Sequence, residues 1–147
     1  MKKTAKTLEE MSAIASFFVD KFLKKTKAKK GATVVHLSGD LGAGKTSFTQ
    51  EVAKYLGVKD KVTSPTFVIM KRYGVKFGIY ENMFHLDAYR LKGHEDLLHL
   101  GWDKIIEDNK HLVLIEWGEK VAKILPKNSI LVSIKTDKNG HRNIEIK

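Results

Sequence analysis

Residues 39–46 read Gly39-Asp40-Leu41-Gly42-Ala43-Gly44-Lys45-Thr46, a complete G-x-x-x-x-G-K-[ST] phosphate-binding loop. The motif constrains its surroundings, because it needs a buried strand before it and a helix after it. Both are legible. Thr33-Val34-Val35-His36-Leu37 is a short β-branched and apolar run, and Lys45 to Leu56 carries Phe48, Val52 and Tyr55 at helical spacing. The glycines allow backbone conformations closed to other residues and a close approach to phosphate oxygens. Successive N–H groups of such a turn face one concavity and favour an anion. The free N–H groups and dipole of the following helix add to this. Lys45 is expected to reach the β- and γ-phosphates, and the Thr46 hydroxyl to ligate magnesium, a cation that prefers oxygen. Gly39 to Thr46, with Ser47 directly after, are therefore the nucleotide-binding candidates. The expected cofactors are ATP and Mg2+.

The chain has 147 residues, which fits a single phosphate-loop domain over 1–147. It contains no cysteine, so disulfides, thiolate metal sites and cysteine nucleophiles are excluded. It has no run of about 18 apolar residues and no continuous apolar h-region near its start. The expectation is a cytoplasmic protein without membrane contact. The formal net charge is +10, and nine lysines fall within residues 1–30 against Glu9, Glu10 and Asp20. Such an excess can attract RNA or an acidic partner. Lysine dominates it and no aromatic–basic stripe accompanies it, so a solvated lysine-rich surface is the simpler reading.

Thr7-Leu8-Glu9-Glu10 carries a capping-box signature, and Leu8, Met11, Ala15, Phe18 and Phe22 then predict an amphipathic helix to about Leu23. Phe67 to Tyr73 and Phe77 to Leu86 read as a hairpin joined over Gly74 to Gly78. Glu95 to Trp102 reads as a short helix, His111 to Ile115 as a second buried strand, and Glu119 to Leu125 as a helix stopped by Pro126. Ser129 to Lys135 and Arg142 to Ile146 flank Asn139-Gly140, a favoured hairpin dipeptide. The resulting class is α/β and phosphate-loop NTPase-like. It has a mostly parallel central sheet, antiparallel additions and helices on both faces.

A phosphate loop needs a carboxylate near magnesium, usually at the end of a neighbouring apolar strand. Leu112-Val113-Leu114-Ile115-Glu116 supplies one where open α/β sheets bind ligands. Glu116 is thus a metal and catalytic candidate beside Lys45. Asp87, in His85-Leu86-Asp87-Ala88-Tyr89-Arg90, is a second acid. It either orients the attacking water or a magnesium-bound water, or has a local role, capping the next helix or pairing with Arg90. For His85 the simpler role is a structural hydrogen bond. Trp117 is a packing residue that can border the nucleotide pocket. Thr63-Ser64-Pro65-Thr66 places three hydroxyls on a stiffened loop, and Ser64 and Thr66 are candidates for sensing the γ-phosphate. Arg72, Arg90 and Arg142 are the only arginines, and none is obviously placed to touch phosphate.

Four blocks in this order, Gly39 to Thr46, Thr63 to Phe67, His85 to Arg90 and Ile115 to Glu119, resemble the TsaE (YjeE) family of small bacterial ATPases. These proteins act in threonylcarbamoyladenosine formation on transfer RNA. The likeness runs from the first helix to the terminal strands. Leu86 and Ala88 depart from the family's usual Phe and Leu, while Asp87, Tyr89 and Arg90 are retained. The resemblance implies slow ATP hydrolysis stimulated by two protein partners, TsaB and TsaD, with any transfer RNA contact indirect or weak. It implies Thr46 and Glu116 as magnesium ligands, residues 41–46 as the phosphate cradle, and Asp87 as important for hydrolysis. It also makes the Thr63–Thr66 loop a partner-facing switch and puts Thr7 and Leu8 near adenine. The alternative is a small phosphate-loop kinase or general NTPase, though the chain has no arginine-rich lid to exclude water. A GTP switch is disfavoured because Asn109-Lys110-His111-Leu112 lacks the Asp of a guanine reader. A non-catalytic RNA module would need salt-sensitive binding that survives loss of Lys45.

Overall fold

The computed structural model describes every residue except Ala28. Seven strands form one sheet in the order β1-β7-β6-β2-β5-β4-β3. They are β1 (Lys2–Ala5), β2 (Thr33–Ser38), β3 (Met70–Phe77), β4 (Tyr80–Asp87), β5 (His111–Glu116), β6 (Ile130–Thr136) and β7 (Arg142–Ile146). The central four, β6, β2, β5 and β4, are mutually parallel, while β1, β7 and β3 add antiparallel edges.

Central strands are covered on both faces, which is why they read as continuous apolar runs. Alternation splits each run between two cores. Val35, Leu37, Leu112 and Leu114 face α1 (Leu8–Phe18), its π-helical continuation (Val19–Leu23) and α2 (Lys45–Tyr55). Val34, Val113 and Ile115 face α3 (His94–His99), α4 (Trp102–Glu107) and a 3-10 stretch (Gly118–Ile124). Phe48 of α2 is fully buried and meets Phe18 of α1 edge-on, with centroids 5.5 Å apart. Truncating such a ring to alanine costs about 3–5 kcal/mol. This contact holds the helix that begins at the phosphate loop.

Several elements differ from the sequence expectation. The first strand of the central hairpin starts at Met70, not Phe67. Residues 67–69 instead turn after Pro65, whose carbonyl accepts the N–H groups of Val68 and Ile69, and Ile69 takes φ +68°. The same strand runs through Gly74, with an irregularity in register, and the turn falls at Gly78-Ile79. The short helix around Leu97 is two helices, broken at Gly101 with φ +84°. The segment before Pro126 is a 3-10 stretch kinked at Val121. β1 was not legible: Lys2-Lys3-Thr4-Ala5 is polar, and it is held by backbone pairing to β7. The N-terminal cap of α1 is present, with the Glu10 N–H donating to Thr7 Oγ1 at 3.1 Å. The Glu10 carboxylate accepts from the Lys6 N–H at 2.5 Å, one residue earlier than a standard capping box.

Candidate functional site

The phosphate loop leaves β2 at Ser38 and enters α2 at Lys45. Gly39 sits at φ +153°, and a Cβ there would stand 2.3 Å from the Ile134 carbonyl oxygen of β6. Only glycine fits between loop and strand. Gly44, the residue before α2, is left-handed at φ +108°. Lys45 is 95% buried; its Nζ donates to the carbonyls of Gly39 at 2.6 Å and Asp40 at 2.8 Å. The same ammonium lies 4.4 Å from the centroid of the Trp117 ring. A buried cation is stable only when its hydrogen bonds are met, and here loop carbonyls and an aromatic face meet them.

Register brings the two acids together at the C-terminal edge of the parallel sheet. Leu37 of β2 and Asp87 of β4 both stand opposite Glu116 of β5. Glu116 Oε1 accepts the Thr46 hydroxyl at 2.8 Å and lies 3.1 Å from His85 Nε2. His85 is fully buried, and its Nδ1 has no protein partner. A carboxylate oxygen facing Nε2 places the ring proton on Nε2. His85 therefore holds Glu116 in place, in line with the structural hydrogen bond expected of it.

Asp87 Oδ1 accepts the Tyr89 N–H at 2.9 Å, and Oδ2 accepts the Thr66 hydroxyl at 3.0 Å. Thr66 Oγ1 is also 2.6 Å from Ser64 Oγ. The switch-candidate loop is thus tied to the second acid through one hydroxyl. Asp87 does not cap the following helix, which starts at His94 after Gly93, and Arg90 stacks over Phe67 instead of pairing with it. Trp117 is left-handed at φ +58° and packs on Tyr89 with centroids 5.2 Å apart. A non-glycine residue in that region costs of order 1–3 kcal/mol and is concentrated at functional sites.

These groups line one cavity of about 270 Å³. Leu41, Gly42, Gly44, Lys45, Thr46 and Ser47 form its floor; Ser64, Thr66, Asp87, Tyr89, Glu116 and Trp117 form its walls. Gly39, Asp40 and Ala43 support the loop without lining the cavity. Arg142, which sequence reasoning did not assign, completes the rim. A second cavity of about 210 Å³ lies between the loop and the start of α1. Thr7, Leu8 and Met11 line it, and it shares Gly44, Ser47 and Arg142 with the first. The paired oxygens of Thr46 and Glu116 suit a hard cation. Among the described residues no cluster of three or more His, Cys, Asp or Glu could hold a metal. Thr46 Oγ1 and Glu116 Oε1, 2.8 Å apart, are two oxygens of the kind a hard cation such as Mg2+ takes beside phosphates and water.

The family model for "Threonylcarbamoyl adenosine biosynthesis protein TsaE" matches residues 5–144. The tRNA threonylcarbamoyladenosine biosynthesis protein TsaE of Treponema pallidum is 36% identical over 114 residues, 78% of this chain and 81% of the relative. The protein of the same name from Bacillus subtilis is 36% identical over 136 residues, 92% of this chain and 78% of the relative. The crystal structure of Bacillus subtilis YdiB superposes with a TM-score of 0.69 at 30% identity, covering 98% of this chain and 82% of that one.

Proposed function

The chain belongs to the TsaE family, and from that premise we propose a Mg2+-dependent protein that binds and slowly hydrolyses ATP. It acts with the TsaB and TsaD subunits in forming threonylcarbamoyladenosine on transfer RNA. Family membership supports the biosynthetic role. The observation that carries the nucleotide chemistry is the convergence of Lys45, Thr46, Glu116 and Asp87 on one cavity at the end of the parallel strands.

Each residue has a role its chemistry suits. Backbone N–H groups of the loop and of the first turn of α2 bind phosphate oxygens. Lys45 exchanges its carbonyl partners for the β- and γ-phosphates and neutralises charge as the terminal phosphoryl group transfers. Thr46 and Glu116 hold Mg2+, which when bound neutralises charge on the phosphate oxygens. His85 fixes Glu116 for that purpose. Asp87 orients the attacking water, and Thr66 reports its state to the Ser64-containing loop. The cavity beside Thr7, Leu8 and Met11 takes the adenosine end. Among the described residues no helix is long and apolar enough to cross a membrane, and the cytoplasm is the proposed setting.

The direct test is ATP binding by titration calorimetry with and without Mg2+, on the wild type and Lys45→Ala. Affinity should fall at least about 10-fold in the variant, the weight of a charge-assisted contact. Equal affinity in both proteins overturns the assignment of the loop.

A further inference from the structure

We propose that His36 and Glu119 are positioning residues for the nucleotide site. Their hydrogen bond ties the strand that feeds the phosphate loop to the segment that carries Trp117, and so keeps the indole ring over Lys45. The inference rests on the nucleotide-binding reading above and deepens it by two residues that line neither cavity. His36 lies on β2, shortly before the loop. Its Nε2 is 2.9 Å from Glu119 Oε2, and a carboxylate oxygen there places the ring proton on Nε2, which donates. The ring also rests on Gly118, where a Cβ would stand 2.7 Å from Cδ2 and 3.1 Å from Cγ and Nε2. One side chain of β2 therefore grips the two residues directly after Trp117.

Trp117 needs such a grip. It holds φ +58° and ψ +33°, a conformation that a non-glycine residue keeps only where its surroundings over-determine it. Before it the chain is fixed, since Glu116 ends β5 and its carbonyl accepts the Ala88 N–H at 2.9 Å. After it the Trp117 carbonyl accepts the Lys120 N–H at 3.1 Å, a bond within the same segment that ties it to nothing else. Val121 is buried farther along, at its own kink, and leaves the Gly118-Glu119 turn to His36. Tyr89, the other neighbour of the indole, is half exposed, so it guides the ring without fixing the backbone that carries it. Released from His36, Trp117 relaxes toward ordinary backbone angles, and its ring leaves the ammonium that lies 4.4 Å from its centroid. Lys45 is buried, and an aromatic face over a desolvated cation is worth more than over a solvated one. His36 and Glu119 thus act on phosphate binding through Trp117 and Lys45, touching no phosphate themselves.

The test reads Trp117 directly. The chain has two tryptophans, and Trp102 is buried in the core, so acrylamide quenching in excess of that left in Trp117→Phe reports Trp117. It is measured without nucleotide for wild type, Glu119→Ala, Glu119→Gln and Gly118→Ala, beside melting temperatures and Mg-ATP affinity by calorimetry. Glu119 is 47% exposed, so its loss should leave the melt within about 3 °C of wild type. Glu119→Ala should raise the quenching of Trp117 and weaken ATP by about 3- to 10-fold, the weight of a ring face over a cation. Glu119→Gln keeps an acceptor for Nε2 and should restore both readouts to within about 2-fold of wild type. Gly118→Ala pushes a methyl into the His36 ring and breaks the same grip from the other side. Combined with Glu119→Ala it should lose no more than the larger single loss, and fully additive losses overturn a shared clamp. Unchanged quenching in Glu119→Ala overturns the proposal, as does a loss in Glu119→Gln equal to that in Glu119→Ala. Raised quenching with unchanged ATP affinity overturns it too, because the clamp would then serve the fold alone. Wild type that binds no ATP refutes the nucleotide reading itself, whereas a Trp117 that stays shielded in Glu119→Ala refutes only the part of His36 and Glu119.

Discussion

His85→Leu separates holding a metal ligand from holding the fold. The imidazole is fully buried between strands and makes one hydrogen bond, 3.1 Å to Glu116 Oε1. A hydrogen bond to a charged group contributes about 1.5–3 kcal/mol, while a buried polar atom without a partner costs about 1–3 kcal/mol. His85 contains one of each, since its Nδ1 has no protein partner. The two terms nearly cancel, and leucine fills a similar volume. Stability should change by less than about 1.5 kcal/mol, or within about 5 °C in melting temperature for a chain of this size. Glu116 would keep only the Thr46 hydroxyl at 2.8 Å as a guide. Loss of a residue that orients a metal ligand costs about 10- to 100-fold in metal affinity. The assay is a Mg2+ titration of ATP binding, paired with thermal unfolding by circular dichroism. A melt lowered by more than about 10 °C with an unchanged Mg2+ midpoint would make His85 a core residue and refute the reasoning.

Three further outcomes follow from the geometry. Gly39→Ala drives a methyl into the Ile134 carbonyl at φ +153°; overpacking and backbone strain together should cost about 2–4 kcal/mol, and an unchanged thermal melt would show that loop and β6 yield freely. Asp87→Asn should hold ATP affinity within a few-fold and slow phosphate release by about 100-fold; unchanged release would leave Asp87 as a turn residue bonded to Tyr89. At the terminal hairpin, burial pushes the Asp137 carboxyl up, but the N–H groups of His141 and Asn139 and the nearby His141 ring outweigh it and hold it below its ordinary 3.8. A depressed carboxylate stabilises the fold above that ordinary value and loses the effect as pH falls through the folded one. The melting gap between wild type and Asp137→Asn should therefore be full near neutrality and close as pH drops below 3.8; a gap independent of pH would rule out the charge as its cause.

Legibility from sequence followed the range of the interactions. Thr33–Leu37 and His111–Ile115 announce themselves because a strand buried on both faces is built mostly of apolar and branched residues, with His36 and His111 as the exceptions here. Their shared C-terminal edge then put Glu116 beside Lys45 and Thr46 without further information. β1 stayed hidden because its stability is pairing with β7, residues 142–145, a contact that Lys2-Lys3-Thr4-Ala5 does not encode locally. The turn after Pro65 was missed because Phe67, Val68 and Ile69 look like strand residues, whereas backbone hydrogen bonds to the Pro65 carbonyl dictate their conformation. Gly101 passed unnoticed as the break between two helices for the same reason that it works, since one left-handed glycine suffices. Arg142 was set aside as unplaced, since only the folding of the terminal hairpin across Gly44 brings it to the phosphate loop.

The central claim meets its most direct test in phosphate release from Mg-ATP by the purified protein, alone and with the TsaB–TsaD pair. Slow release that rises on adding the pair, and disappears in Lys45→Ala, is the expected result. Release that ignores the pair, and either proceeds as fast on GTP or passes its phosphate to an added acceptor, would contradict the accessory ATPase and favour a general NTPase or kinase.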